Sequence, residues 1–176
     1  MRTAVVTGAS RGIGSEFVVR LLDAGWCVYA GYRSDMHRLE LIQNKNLICH
    51  QLDVTDNDSI NDFVTGIDRN VDLLINNAGV PDGRWRNLKE IDDEWMLEVL
   101  NINSVGPVRM VKALYDKMSH DSMTTVAMIS SLMGSIDDCD SGRSYAYRAS
   151  KTALNMLSVA MKKEAVEDNI SFLILH

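Results

Sequence analysis

Six short apolar runs punctuate the chain, and the stretches between them repeat with a helical period. The runs are Thr3–Thr7, Cys27–Gly31, Leu47–Leu52, Val71–Ile75, Thr124–Ile129 and Ile170–Leu175. Each is rich in Val, Ile or Leu, and none keeps the strict polar alternation of a half-wet strand, so each suits burial on both faces. Such strands need cover on both sides. Helices predicted over Ile13–Ala24, Met36–Gln43, Asp58–Ile67, Asp93–Met118 and Tyr147–Asp168 supply it. Strand–helix repetition of this kind joins parallel neighbours through right-handed crossovers. The expected fold is α/β: a doubly wound parallel sheet of six strands, with residues 1–176 forming one domain. Helix ends agree with this. Gly25 stands where a left-handed residue would close the first helix, and Asp56, Asp58 and Ser59 crowd the start of the third.

Composition excludes several classes. Two prolines and eleven glycines in 176 residues argue against long linkers or disordered tracts. No apolar run approaches the roughly 18 residues of a spanning helix. The N-terminus has no apolar core followed by a small-residue cleavage site, so neither a signal peptide nor a membrane partner is expected. A net charge of -6 argues against nucleic acid as a partner. Cys27, Cys49 and Cys139 are odd in number and form no C-x-x-C pair, which fits a cytoplasmic protein. His37, His50, His120 and His176 are scattered without ligand spacing, and no metal is expected.

The first run leads into Thr7-Gly8-Ala9-Ser10-Arg11-Gly12-Ile13-Gly14, and a helix follows. Glycines 8, 12 and 14 allow a tight turn and close approach of the backbone to a bulky anion. Free N–H groups and the partial positive charge at a helix start favour a pyrophosphate. The spacing is G-x-x-x-G-x-G, not the G-x-G-x-x-G of the commonest dinucleotide fingerprint. A tight turn with no ligand is the competing reading. The position favours a nucleotide, because this is the first βα turn of a parallel sheet.

Further motifs follow in order: Asp53-Val54-Thr55, Asn76-Asn77-Ala78-Gly79, Asn103-Ser104-Val105-Gly106, Ile129-Ser130-Ser131 and Tyr147-Arg148-Ala149-Ser150-Lys151. Together with the glycine turn they resemble the short-chain dehydrogenase/reductases, a Rossmann-type family, over essentially the whole chain. The wording around Ser131 and Tyr147 is closest to the branch of C-factor-like and sniffer-like carbonyl reductases. The resemblance implies that Gly8, Ser10, Arg11, Gly12, Ile13 and Gly14 hold the cofactor pyrophosphate. It places Asp53 and Val54 at adenine, and Asn77, Ala78 and Gly79 along the same cofactor.

Tyr147 and Lys151 are four residues apart and share a helix face. A phenol is a poor acid at neutral pH, its reference pKa being about 10, and a neighbouring ammonium favours the phenolate. Tyr147 can then give a proton to a carbonyl oxygen while Ser131 donates a hydrogen bond to it. The resemblance adds Lys151 as a holder of the nicotinamide ribose and Asn103 as anchor of a water leading from Lys151 to solvent. Tyr145 has Ala149 four residues on, so it lacks a lysine partner. Ser131 precedes Tyr147 by sixteen residues, longer than the family spacing, which we read as an insertion within Asp137–Gly142. Ser135 is the fallback.

The second strand ends without a carboxylate, and Arg33 follows it. An acidic residue there accepts from a ribose 2′-OH, whereas arginine welcomes a 2′-phosphate. With Arg11 in the glycine turn, NADP(H) is expected over NAD(H), although Asp35 lies close by. The expected activity is reduction of a small aldehyde or ketone. A C-factor-like signalling or nucleotide-binding protein with little turnover is the alternative, and a nucleotide-sugar epimerase or dehydratase a weaker third. The family continues past a sixth strand into a P-G turn, a substrate loop and a seventh strand, so the protein is expected to extend beyond His176. Homodimers or homotetramers are expected through Asp93–Met118 and Tyr147–Asp168.

Overall fold

The computed structural model describes residues 1–83, 87–118 and 122–176. Six parallel strands form one sheet in the order β3-β2-β1-β4-β5-β6. They are β1 Thr3–Val6, β2 Cys27–Tyr32, β3 Leu47–Gln51, β4 Leu73–Asn76, β5 Thr124–Ile129 and β6 Ile170–Leu175. The helices are α1 Gly12–Asp23, α2 Asn57–Thr65, α3 Asp93–Leu100, α4 Gly106–Leu114 and α5 Tyr145–Glu164. The Rossmann-type reading holds.

Period-two alternation sends neighbouring residues to two cores. Val5, Leu74, Val126 and Met128 join Ile60, Phe63, Met110, Leu114 and Leu154 of α2, α4 and α5 on one face. Val6, Val28, Ile75 and Ala127 join Val18 and Leu22 of α1 on the other. Strand order reverses between β1 and β4, which opens a crevice beyond the carboxyl ends of these strands.

Helix α1 closes as expected. Gly25 takes φ +80, its N–H reaches Leu22 O, and the Trp26 N–H reaches Leu21 O. Asp56 caps α2 by accepting from the Asp58 N–H. The fourth strand begins at Leu73; Val71 makes only an isolated bridge to Met118. The helix expected over Met36–Gln43 is a 3-10 segment, His37–Leu41, entered at φ +44 on His37. The Arg38 N–H donates to Ser10 O outside the segment. The long helix expected over Asp93–Met118 is broken by a π turn at Asn101–Val105, where the Gly106 N–H reaches back five residues to Asn101 O. Pro107 explains the break: it has no N–H for the carbonyl of Asn103 four residues back. The last helix starts at Tyr145, two residues earlier than expected, and gives way to a 3-10 turn at Ala165–Asp168.

Candidate active site

The β1–α1 turn is locked to the segment after β4. Thr7 Oγ1 accepts from the N–H groups of Asn77 and Ala78 at 3.1 and 3.0 Å. Asn77 Nδ2 donates to Thr7 O and Gly8 O at 3.1 and 2.9 Å. Space here permits only glycine: a Cβ on Gly14 would lie 2.2 Å from Gly8 O, and one on Gly8 2.8 Å from Ala78 Cα. At Gly12 (φ +56) a Cβ would meet nothing within 4 Å, so the turn opens on free space. Arg11 precedes α1 in extended conformation and offers no side-chain cap, leaving the first N–H groups of the helix to other acceptors.

This turn floors a cleft of about 540 Å³. Gly8, Ser10, Arg11, Gly12 and Ile13, all of them expected at the cofactor, line it from below. Arg33, Asp53, Val54, Asn77, Ala78 and Gly79 complete its walls. Gly14 packs beneath the lining, and Ser131, Tyr147 and Lys151 are not part of it. Ser34, His37, Leu52, Val80 and Ile102 line the cleft without having been singled out from sequence, and Asp35, noted there beside Arg33, lines it too. Val80 adjoins the N-N-A-G motif and was legible on that ground; His37 carried no such signal. Asp53 Oδ1 accepts from the N–H and hydroxyl of Thr55, which fixes the carboxylate at the rim. Arg38 is paired with Glu16, whereas Arg11 and Arg33 have no carboxylate in the ion pairs among the described residues. Among the described residues no cluster of His, Cys, Asp or Glu could hold a metal ion; His120 lies outside them. No described helix is long and apolar enough to cross a membrane.

The second half of the site lies where β5 meets α5. Lys151 is 6% exposed, and its Nζ donates to Ile129 O at 2.7 Å. Burial pushes its pKa down to about 8. The same Nζ stands 5.6 Å from the centre of the Tyr147 ring. Thr152 Oγ1 donates to Gly134 O at 2.9 Å, and a Cβ on Gly134 would lie 2.9 Å from the Lys151 carbonyl carbon, so the segment after β5 is pressed against α5. The two serines ending β5 differ. Ser130 is buried and its hydroxyl donates to Asn155 Oδ1 at 2.6 Å. Ser131 is half-buried and accepts from the Met133 N–H at 3.2 Å, which leaves its proton available. Ser135 lies past the Leu132–Gly134 turn and accepts from the Asp138 N–H.

Asn103 is fully buried in the π turn. Its Oδ1 accepts from the Val80 N–H at 2.8 Å, and its Nδ2 donates to Val80 O and Ser150 Oγ at 3.0 and 3.1 Å. Both amide hydrogens are therefore committed. The side chain clamps the segment after β4 and α5 to the π turn.

A parallel sheet with a glycine-floored cleft at its switch point, and a Tyr–Lys pair beside the next strand end, defines a dinucleotide-binding oxidoreductase architecture. Residues 2–176 match the family model for short chain dehydrogenase, and the chain belongs to that family of NAD(P)-dependent oxidoreductases. It is 38% identical over 106 residues to the C-signal of Myxococcus xanthus, an alignment covering 60% of this chain and 63% of that protein. It superposes on NADPH-bound carbonyl reductase from chicken fatty liver with a TM-score of 0.92 at 29% identity, covering 100% of this chain and 75% of that one. A carbonyl reductase from Pseudomonas aeruginosa PAO1 gives a TM-score of 0.87 at 30% identity, covering 100% and 83%.

Proposed function

We propose that the chain is the cofactor-binding and catalytic part of an NADPH-dependent reductase of small aldehydes or ketones. The observation that carries this is the buried Lys151, held on Ile129 O, two residues before Ser131 at the same strand end, and set 5.6 Å from the Tyr147 ring. The cleft fits the cofactor. Its floor includes the start of α1, where no side chain caps the first N–H groups, it is open at Gly12, and Arg11 and Arg33, in no ion pair among the described residues, line it. These two arginines suit a 2′-phosphate.

When bound, NADPH supplies a hydride to the carbonyl carbon. Tyr147 gives its phenolic proton to the carbonyl oxygen, so the product is an alcohol and both atoms are balanced. Ser131 donates a hydrogen bond to the same oxygen as charge gathers there. The Lys151 ammonium stabilises the phenolate left on Tyr147, and its burial strengthens that attraction.

NADPH oxidation followed with a panel of aldehydes and ketones tests the reading. Turnover is expected for the natural protein, and Tyr147→Phe is expected to lose it while still binding NADPH. Turnover of Tyr147→Phe within tenfold of the parent would remove Tyr147 from its role. NADPH binding without any turnover would favour the second reading, a signalling or nucleotide-binding protein, which the likeness to C-signal supports. We further propose a cytoplasmic homodimer or homotetramer joined through Asp93–Met118 and Tyr147–Asp168, where Leu97 of α3, Val105 of the π turn, and Met156 and Val159 of α5 are exposed. A monomer mass in sedimentation at micromolar concentration would overturn that.

A further inference from the structure

Ser150 is a fully buried hydroxyl on the helix that carries Tyr147 and Lys151. Its Oγ donates to Tyr147 O at 2.8 Å and accepts from Asn103 Nδ2 at 3.1 Å. Its carbonyl accepts from Ser104 Oγ at 2.8 Å. The wide π turn brings two consecutive polar residues, Asn103 and Ser104, into the interior together, and both meet Ser150. The other side of Asn103 grips Val80 through both its N–H and its carbonyl, and Val80 and Ile102 line the cofactor cleft. Gly79 is held just as closely: a Cβ there would lie 3.2 Å from Asn103 Oδ1. An unbroken path of hydrogen bonds thus runs from the cleft wall through one amide to the backbone of Tyr147.

We propose that Ser150 is a positioning residue which, through Asn103, couples occupation of the cofactor cleft to the placement of Tyr147 and Lys151. The proposal rests on the cofactor reading above. Ser150 touches no reacting atom. A serine hydroxyl bonded to the carbonyl three residues back is by itself routine in a helix. What distinguishes this one is the second bond, from a side chain 47 positions away that also clamps the cleft wall. Losing it would leave an Asn103 N–H unpaired in a dry interior, a state the structure relieves by moving α5 or the π turn.

Hydrogen exchange of the whole protein with and without NADP+, read by mass spectrometry, tests the coupling without requiring turnover. In the parent protein NADP+ should slow exchange both at the glycine turn, 8–14, and in α5 around 148–154. In Ser150→Ala the protection of the glycine turn should remain and that of α5 should be lost. Where turnover is measurable, Ser150→Ala should lower kcat about tenfold with the KM for NADPH nearly unchanged, and should displace the pH profile of kcat. Ser150→Cys, which keeps the size and bonds weakly, should fall between. If Ser150→Ala does not fold, Ser150→Cys carries the same comparison. Equal α5 protection in parent and variant, with an unmoved pH profile, would overturn the proposal. No protection at the glycine turn of the parent would overturn the cofactor reading and this inference with it.

Discussion

Replacing Gly14 with Ala sets two effects of opposite sign against each other. Gly14 sits in the first turn of α1, where helix propensity alone makes Ala more stable by about 1 kcal/mol. The surroundings argue the reverse. The added Cβ would stand 2.2 Å from Gly8 O and 2.5 Å from Asn77 Nδ2. Neither can retreat cheaply, because Asn77 Nδ2 bonds Thr7 O and Gly8 O while Thr7 Oγ1 bonds the Asn77 backbone. Overpacking costs roughly 1–3 kcal/mol. Loss of the two Asn77 bonds adds about 0.5–1.5 kcal/mol each. Net destabilisation of about 3 kcal/mol should lower Tm by roughly 6–12 °C in a chain of this size. NADPH affinity should fall as the turn distorts. Thermal unfolding and fluorescence titration read both. Gly12→Ala is the control: with φ +56 and an open surround, it pays only the left-handed penalty, about 1–2 kcal/mol. A rise in Tm for Gly14→Ala would refute the packing argument outright.

Arg33→Ala should shrink the NADPH-over-NADH affinity ratio roughly ten- to a hundredfold, the worth of a charge-assisted hydrogen bond to phosphate; equal affinities in the parent protein would show that no phosphate is met. Burial holds Lys151 at about 8 in the folded chain, against about 10.4 unfolded. The unfolded chain therefore binds the extra proton between these values, and the Lys151 contribution to stability rises with pH there. The stability of the parent minus that of Lys151→Met, from urea unfolding, should be flat below about pH 8 and climb towards pH 10; a difference independent of pH would place the amine in water. Ser131→Ala should cost at least about a hundredfold in kcat, and Ser135→Ala little; the reverse pattern would exchange their roles.

The sheet was legible because its four inner strands, β1, β2, β4 and β5, are largely apolar on both faces, as a parallel sheet covered by helices requires. The glycine turn was legible because Gly8, Gly12 and Gly14 answer three different local needs at one place. Other features depended on distant partners. Nothing near Ser150 announces Asn103, and nothing near Asn103 announces Val80, yet these bonds decide what the asparagine side chain does. The start of α5 was hidden too, since Gly142, Arg143 and Ser144 all take positive φ, a conformation that neither Arg nor Ser signals. The π turn has a readable cause in Pro107, which offers no N–H to the carbonyl four residues back, although the helix predicted from sequence runs from Asp93 to Met118 across it. The 3-10 segment at His37 follows from the bond between the Arg38 N–H and Ser10 O, a tertiary contact overriding local propensity.

The central position of β1 has a consequence for how the chain is made. Of the six strands this one is made first and can pair with β2 as soon as that strand emerges, yet its other edge waits for β4, where Ala4 meets Leu73. At about 5–20 residues per second of synthesis, the edge stays open for roughly 2–9 s after β2 is complete. During that interval Ala4, Val5 and Val6 present unpaired backbone and side chains that are buried in the finished fold. An open edge of this kind can pair with another nascent copy before β4 arrives. The yield of folded protein should therefore depend on how quickly residues 33–76 are delivered, with slow codons in that stretch lowering it.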